Sequence, residues 1–467
     1  MRLTKSDFIQ YLHCPKSLWL LKREPENYPD SGSSAFDVKL ARGGYDVERH
    51  VRQLFQNEGR NVVFQEKLET DDGLLARVDA VEQMVDGKIV LHEIKSSTRV
   101  KDDHVADACF QKVCAERAGQ KIDRVSLVHL NGAYVRQGEI DPREMLVFAD
   151  ITDKVEDIEP EIIDGIDEAL EFLAGEIDRN GCSCPEESRQ NHCDTFELFN
   201  PGVPSPSVYS LPRLSKKKRK KLVSKGIFGL EDIPKGFSLT APQSLVVRSA
   251  MSGKPRVKAR KIRRFLSKLV FPLHFFDYET FASAVPLVDG TGPHRHFPVQ
   301  YSLHILEKNG TLTHREYLER EARLPLRLVE QLQADIGRRG SIISWHASFE
   351  RARNRDMAAI YPDKEEFLYE LNDRTVDLEE VFKKDYVDAR FDGSTSIKNV
   401  LPVLCPELDY SDLVVQDGSS AMAEWERMIQ AGPEEADKIA QALLLYCERD
   451  TRALVAIHAF LRDLVES

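Results

Sequence analysis

Between residues 64 and 97 the chain reads FQEKLETDDGLLARVDAVEQMVDGKIVLHEIKSS, three runs in which apolar and polar side chains alternate, separated by DDG and DGK. Alternation with a period of two predicts half-buried strands, and Asp-Gly pairs between them predict tight turns. The next run, HVADACFQKVCAERAG (104–119), carries its apolar residues at helical spacing, and DRVSLVHLNG (123–132) returns to strand. Before this group, KSDFIQYLHCPKSLWLLK (5–22) predicts one amphipathic helix; after it, residues 155–180 predict another. The first 200 residues therefore predict a meander, a helix and a further strand.

The pattern changes at NPGVPSPSVYSLP (200–212), whose Pro, Ser and Gly mark a boundary. LSKKKRKKLVSKG (214–226) and APQSLVVRSAMSG (241–253) read as helices. A buried strand opens the next region in VFPLHFFDYET (270–280), followed by strands in PVQYSLHIL (298–306) and GSIISWHA (340–347). Helices close the chain, the longest in EEADKIAQALLLYCERDTRALVAIHAFLRDL (434–464). The expectation is an α/β multidomain chain: a first domain over 1–200, a basic, mostly helical connector over 201–268, and an α/β domain with a mixed sheet over 269–467.

Composition is that of a globular protein, with 42% hydrophobic and 30% charged residues in 467. No run approaches the ~18 apolar residues of a membrane span. MRLTKSDFIQYLHCPK has no apolar signal core, so the expected location is the cytoplasm, without membrane contact. No repeat of 20–50 residues is present. Net charge is −12, but it is unevenly spread. Arg213 to Lys268 holds 18 Lys/Arg against Glu231 and Asp232, about +16, which leaves about −28 elsewhere. Either this is a solvated basic face or flexible spacer, or it tracks phosphates. In the second case the nucleic-acid-binding residues are Lys216, Lys217, Lys218, Arg219, Lys220, Lys221, Lys258, Arg260, Lys261, Arg263 and Arg264.

Of eight cysteines, Cys182, Cys184 and Cys193 cluster and Cys14 stands alone near the start. In a reducing compartment, clustered thiols favour metal over disulfides. Cys109, Cys114, Cys405 and Cys447 fall in apolar-periodic stretches and read as core.

Two constellations carry chemistry. In the first, Glu93 and Lys95 are two apart on a strand and share a face, with Asp79 on the neighbouring strand within reach. Two carboxylates can hold a divalent ion, and a lysine beside them can orient water or stabilise charge at a phosphate. Asp79-x13-Glu93-x-Lys95, with His50 in GGYDVERHV before it and Gln111 after it, resembles the RecB-like branch of the PD-(D/E)xK nucleases. That resemblance implies a restriction-endonuclease-like fold, His50, Asp79 and Glu93 as ligands of Mg²⁺ or Mn²⁺, and Lys95 and Gln111 as catalytic residues. Ala115 stands where the branch usually has Tyr. Some members also resemble this chain in having one cysteine before the nuclease core and three after it, which implies a [4Fe–4S] cluster on Cys14, Cys182, Cys184 and Cys193. Here a single residue separates Cys182 from Cys184, where such members more often have two or more, and a set of four cysteines also suits zinc.

In the second constellation, HFFDYETFAS sets Asp277 and Glu279 on one strand face, and LLLYCERDTRAL sets Tyr446 and Asp450 on one helix face. Together they resemble the DnaQ-like (DEDD) 3′–5′ exonucleases of the Tyr type, which implies an RNase H-like fold. The metal ligands would be Asp277, Glu279, Glu350 and Asp450, with Tyr446 aligning the attacking water. In ISWHASFER (343–351), His346 and Glu350 replace that family's Asn and Asp. Asp377 is the rival middle acid and reads as a helix-start residue. With HLNGAYVRQGEID (129–141) and SIKNVLPVLCPELDY (396–410), the two halves resemble a bacterial family that fuses a RecB-like nuclease to a DnaQ-like exonuclease domain. The expected function is metal-dependent hydrolysis of nucleic acid, single-stranded DNA ahead of RNA. The alternative is a nucleic-acid-binding subunit with decayed nuclease centres.

Overall fold

The computed structural model describes residues 2–29, 32 and 34–466. The chain divides into two compact units, residues 1–202 with 283–295, and residues 203–282 with 296–467. Both are α/β, and no helix of the described residues is long and apolar enough to cross a membrane.

In the first unit, strand β1 (Leu3–Thr4) leads into α1 (Lys5–His13) and α2 (Pro15–Arg23). Thr4 caps α1 by accepting from Asp7 N, and Asp7 caps back on Thr4 N at 2.8 Å. The sequence predicts one helix over 5–22. It breaks instead at Cys14, whose backbone is extended (φ −156°). Pro15 has no N–H to continue α1 and disfavours helical geometry in the residue before it, yet suits the first position of α2. Helix α3 (Ala35–Asn57) follows. The expected meander is β2 (Val62–Glu69), β3 (Leu74–Gln83) and β4 (Ile89–Ile94), then α4 (Asp102–Arg117) and β5 (Arg124–Leu130). The short α5 (Pro142–Met145), strand β6 (Leu146–Asp150), α6 (Thr152–Ala174) and α7 (Phe196–Phe199) complete the unit. Helix α6 stops at Gly175, short of the expected residue 180.

β3 pairs antiparallel with β2 and β4 and parallel with β1, β4 runs parallel to β5, and β6 returns antiparallel. One apolar cluster joins the sheet to α1, α2, α4 and α6, with Phe8 stacked on Phe110 at 5.4 Å between centroids. A second joins it to α3 through Val47, Val51 and Phe55. Truncating Phe8 or Phe110 to Ala would cost about 3–5 kcal/mol.

The second unit begins with the basic segment: α8 (Lys216–Val223), α9 (Ala241–Ser252), β7 (Arg256–Val257) and α10 (Ala259–Leu266). Then come β8 (Leu273–Phe281), β9 (Phe297–Leu306), β10 (Leu312–Leu318), α11 (Leu326–Ile336), β11 (Ser341–Ser344), α12 (Ser348–Ile360), α13 (Glu365–Arg374) and β12 (Thr375–Asp377). α14 (Glu379–Lys384), β13 (Tyr386–Val387), α15 (Ile397–Leu404), α16 (Gly418–Gln430) and α17 (Pro433–Glu466) follow. The sheet is mixed, in the order β10-β9-β8-β11-β12, with β8 to β10 antiparallel and β11 and β12 parallel to β8. β10 escapes the sequence reading because it is an edge strand, LTHREYL, with most side chains partly or fully exposed.

The basic segment is not a loose spacer. Leu211, Leu214, Leu222, Leu230 and Val246 form a cluster with Ala389, and β7 pairs with β13. Its cations are not uniformly solvent-facing either. Arg219 is buried and donates to Leu214 O at 3.0 Å, because α8 turns Arg219 inward together with Leu222. Lys258 bonds Lys384 O and lies 3.3 Å from the Asp385 carboxylate, and Arg263 donates to Val465 O. Lys217, Lys221, Arg260 and Arg264 are exposed.

Candidate functional sites

In the first unit the antiparallel β3–β4 pairing brings Asp79 to Glu93. Asp79 Oδ2 accepts from Ile94 N at 2.9 Å. Glu93 is fully buried, with Lys5 Nζ and Lys95 Nζ each 2.8 Å from Oε1 and Gln111 donating to Oε2. Lys95 also reaches Asp107 at 2.5 Å. Asp79, Glu93, Lys95 and Gln111 are therefore together, as their spacing implied. Lys5, Asp107 and Gln65 join them unexpectedly. Asp107 precedes Gln111 by one helical turn, a signal that the sequence carries. Lys5 arrives from 88 residues away, and no local pattern announces it.

The two carboxyls are pushed apart. Burial, with the Glu93 charge beside it, raises Asp79 to about 7. Burial would also raise Glu93, but the ammonium groups of Lys5 and Lys95 hold it down at about 2. Glu93 and Asp107 in turn lift Lys95 above its ordinary range despite its own burial. His50 lies on α3, its titration lowered by burial and by Arg49. It is not gathered with Asp79 and Glu93 into one tight ligand set. Its Nδ1, and Gln111 Oε1, are buried without a hydrogen-bond partner. The unsatisfied Gln111 oxygen, on the amide that bonds Glu93, fits a centre beside the carboxylate pair that takes an ion and its water.

In the second unit, Asp277 and Glu279 stand on β8, Glu350 in the first turn of α12, and Tyr446 and Asp450 one turn apart on α17. Asp277 lies within electrostatic reach of the other three acids, and Glu279 within reach of Asp450 and Glu350. Burial, then Asp450, Glu279 and Glu350, push Asp277 well up. Glu279 is raised in the same way, Glu350 to about 8 and Asp450 to about 6, in each case chiefly by burial. Among the described residues none of the four sits in an ion pair, and Glu350 Oε2 is buried with no hydrogen-bond partner. Tyr410 donates to Asp450 Oδ1 at 2.6 Å. Ligand atoms of Asp277, Glu279 and Cys447 lie within 4.8 Å of one another, a set that can hold a metal ion. Cys447 is buried, as its reading as a core thiol required; its nearness to the acids was not foreseen, although it follows Tyr446 directly.

Asp377 does different work. Its Oδ1 accepts from His346 N at 3.1 Å and Glu379 N at 3.0 Å, which fixes the turn after β11 and starts α14. His346 adopts φ +59°, a left-handed conformation that a non-glycine residue takes only when its surroundings impose it. Its Nδ1 lies 3.0 Å from Glu379 Oε2, and Lys383 and Thr395 bond the same carboxylate.

A third centre lies in the first unit. The Sγ atoms of Cys14, Cys182, Cys184 and Cys193 are all within 4.8 Å of one another, so this cluster could hold a metal. The α1–α2 break presents Cys14, and the segment after α6 presents the other three. Cys182 and Cys184 Sγ are 3.3 Å apart, and Asn200 Nδ2 and Cys193 N donate to the Cys182 and Cys184 sulfurs. Hydrogen bonds from Lys16, Trp19 and Arg23 to backbone carbonyls at residues 173–181 tie the same two segments together. Cys109 and Cys114 are, by contrast, plain core thiols, raised by burial to about 12 and 11.

Residues 274–396 match a domain of unknown function, DUF2779. The match contains Asp277, Glu279, Glu350 and Asp377 and ends before Lys398, Tyr446 and Asp450. The chain is 25% identical over 230 residues to the uncharacterized protein MG366 of Mycoplasma genitalium, covering 44% of this chain and 34% of that protein. It is 26% identical over 227 residues to the MG366 homolog of Mycoplasma pneumoniae, with the same coverage. The chain thus spans about a third of the length of these curated relatives.

Proposed function

We propose that this chain is a metal-dependent nuclease that hydrolyses phosphodiester bonds in nucleic acid, single-stranded DNA ahead of RNA, at two separate sites. The C-terminal site is read as a 3′–5′ exonuclease. The observation that carries this reading is the set of four acids, Asp277 and Glu279 half-buried and Glu350 and Asp450 buried, with no ion pair among the described residues and every carboxyl raised. Such a set costs several kcal/mol unless a cation joins it. Asp277, Glu279, Glu350 and Asp450 would hold Mg²⁺ or Mn²⁺. A divalent ion there polarises the phosphate and lowers the pKa of its water. Tyr446, one turn from Asp450, would align that water.

At the N-terminal site Asp79 and Glu93 would share the metal, and the resemblance to the RecB-like branch adds His50 as a third ligand. Lys95 would stabilise charge on the phosphate, and Gln111 would keep Glu93 oriented. The element orders lend support: helix, three antiparallel strands, helix and parallel strand in the first unit suit a RecB-like PD-(D/E)xK domain, and β10-β9-β8-β11-β12 suits a DnaQ-like, RNase H-like domain.

We read the cysteine centre as structural. Zinc–sulfur bonds of about 2.3 Å place thiolates about 3.8 Å apart around one tetrahedral ion. A four-iron cluster puts each thiolate on its own iron and holds them wider. Sulfurs all within 4.8 Å favour the single ion, zinc, over [4Fe–4S]. Metal analysis with a visible spectrum separates the two: one zinc and no colour, against four irons and a broad visible band.

The functional test is digestion of end-labelled single-stranded DNA and RNA by the full chain in Mg²⁺ or Mn²⁺, with an EDTA control. Metal-dependent shortening is expected. Intact substrate under every condition would sink the reading.

A further inference from the structure

Among the described residues, Lys398, near the start of α15, is the one cation whose charge bears on both Glu279 and Asp450. It is paired with neither. Its Nζ donates to Gln416 O and, at 3.4 Å, to Tyr446 Oη, and it sits 5.4 Å and 5.3 Å from the ring centroids of Tyr410 and Tyr446. A lysine serving only as a counter-ion would close on a carboxylate within 4 Å, as Lys5 and Lys95 do on Glu93. Lys398 is held instead by neutral partners: a carbonyl, a phenol and two aromatic faces. An ammonium has three N–H donors, and two are used here. Among the described residues the third has no acceptor, and it remains available beside the acid cluster.

Resting on the nuclease reading of this site, we propose that Lys398 is a further catalytic residue. It donates its third N–H to a non-bridging oxygen of the scissile phosphate and fixes the Tyr446 hydroxyl beside the attacking water. Hydrolysis adds one water across the P–O3′ bond, leaving a 5′-phosphate and a 3′-hydroxyl. The water's hydroxyl goes to phosphorus, and its proton is balanced by the one the leaving oxygen takes from solvent. Lys398 supplies charge and no proton, and leaves the step unchanged. A cation set where charge grows in the transition state acts on turnover more than on substrate binding.

The test uses full-length protein in Mn²⁺ in a Lys95→Ala background, so that only the C-terminal site is read. Lys398→Met should lower kcat about 100-fold, the size typical of losing one such donor, with KM changed less than about threefold, and Lys398→Arg should recover part of the loss. A kcat within about threefold of the parent, or a change confined to KM, overturns the proposal. Failure of the Lys95→Ala parent to cleave at all would instead sink the nuclease reading of this site. Binding of thymidine 5′-monophosphate in Ca²⁺ then decides the role of Lys398. Binding in Lys398→Met within about threefold of the parent supports a cation that acts in the transition state; a tenfold or greater loss, or no binding to the parent, overturns the proposal.

Discussion

Asp79 and Glu93 stand on paired strands, yet neutralising them should move stability in opposite directions. Asp79 rises from 3.8 to about 7 on folding, roughly three pKa units at 1.36 kcal/mol each, so about 4 kcal/mol. Its folded pKa lies above its unfolded one. The cost is absent below pH 4, grows as pH rises toward 7 and is full above it. Asp79→Asn keeps an oxygen for Ile94 N and removes the charge. It should stabilise the metal-free first unit by up to about 4 kcal/mol at pH 8 and hardly at all at pH 4. Glu93 falls from 4.5 to about 2, so its ionised form contributes about 3 kcal/mol above pH 4.5 and loses it as pH falls toward 2. Glu93→Gln strands the Lys5 and Lys95 charges and should destabilise by about that amount at pH 8. The double variant should fall short of the sum, since Glu93 itself raises Asp79. Calorimetric melting in buffer free of Mg²⁺ and Mn²⁺ reads both, at roughly 2–4 °C per kcal/mol for a unit of this size. Shifts of the same sign at pH 8, or an Asp79→Asn gain that persists at pH 4, would overturn this opposition of the two carboxyls.

Glu350 rises to about 8, so Glu350→Gln should stabilise the metal-free second unit by roughly 3 kcal/mol at pH 7 and not below pH 4.5, with loss of Mn²⁺ binding in a calorimetric titration. Cys184→Ser should strip the cysteine centre of its metal and lower the melting temperature of the first unit, whereas Cys109 and Cys114 should resist iodoacetamide at pH 8 in the folded protein. Binding to single-stranded DNA should weaken with salt; replacing Lys217, Lys221, Arg260 and Arg264 by Gln should flatten that dependence by about 0.7 for each phosphate no longer neutralised, read by anisotropy.

Much of the fold is legible in the sequence because period-two alternation and acid spacing are local. The DDG and DGK turns define the β2–β4 meander, and a strand face places Glu93 beside Lys95. The unforeseen parts depend on neighbours distant in sequence or on stereochemistry. Lys5 reaches Glu93, and Tyr410 reaches Asp450, only once the chain is folded. Arg219 looks in sequence like its five cationic neighbours, but helical phase turns it inward. Pro15 is plain in the sequence, and its effect on Cys14 follows from proline chemistry alone; the run of apolar spacing across it hides the break. His346 stands out in the motif as a substitution, while its left-handed backbone and its Glu379 partner are tertiary facts.

The central claim is that two separate metal-dependent sites cut the same class of polymer. Its most direct measurement compares wild type, Lys95→Ala, Asp277→Ala and the double variant on one end-labelled single strand in Mn²⁺, with products resolved to single nucleotides. Each single variant should keep one activity with its own product ladder, Lys95→Ala retaining stepwise loss from the 3′ end, and the double variant should leave the strand intact. A double variant that still cuts, or a wild type that never does, would contradict the account.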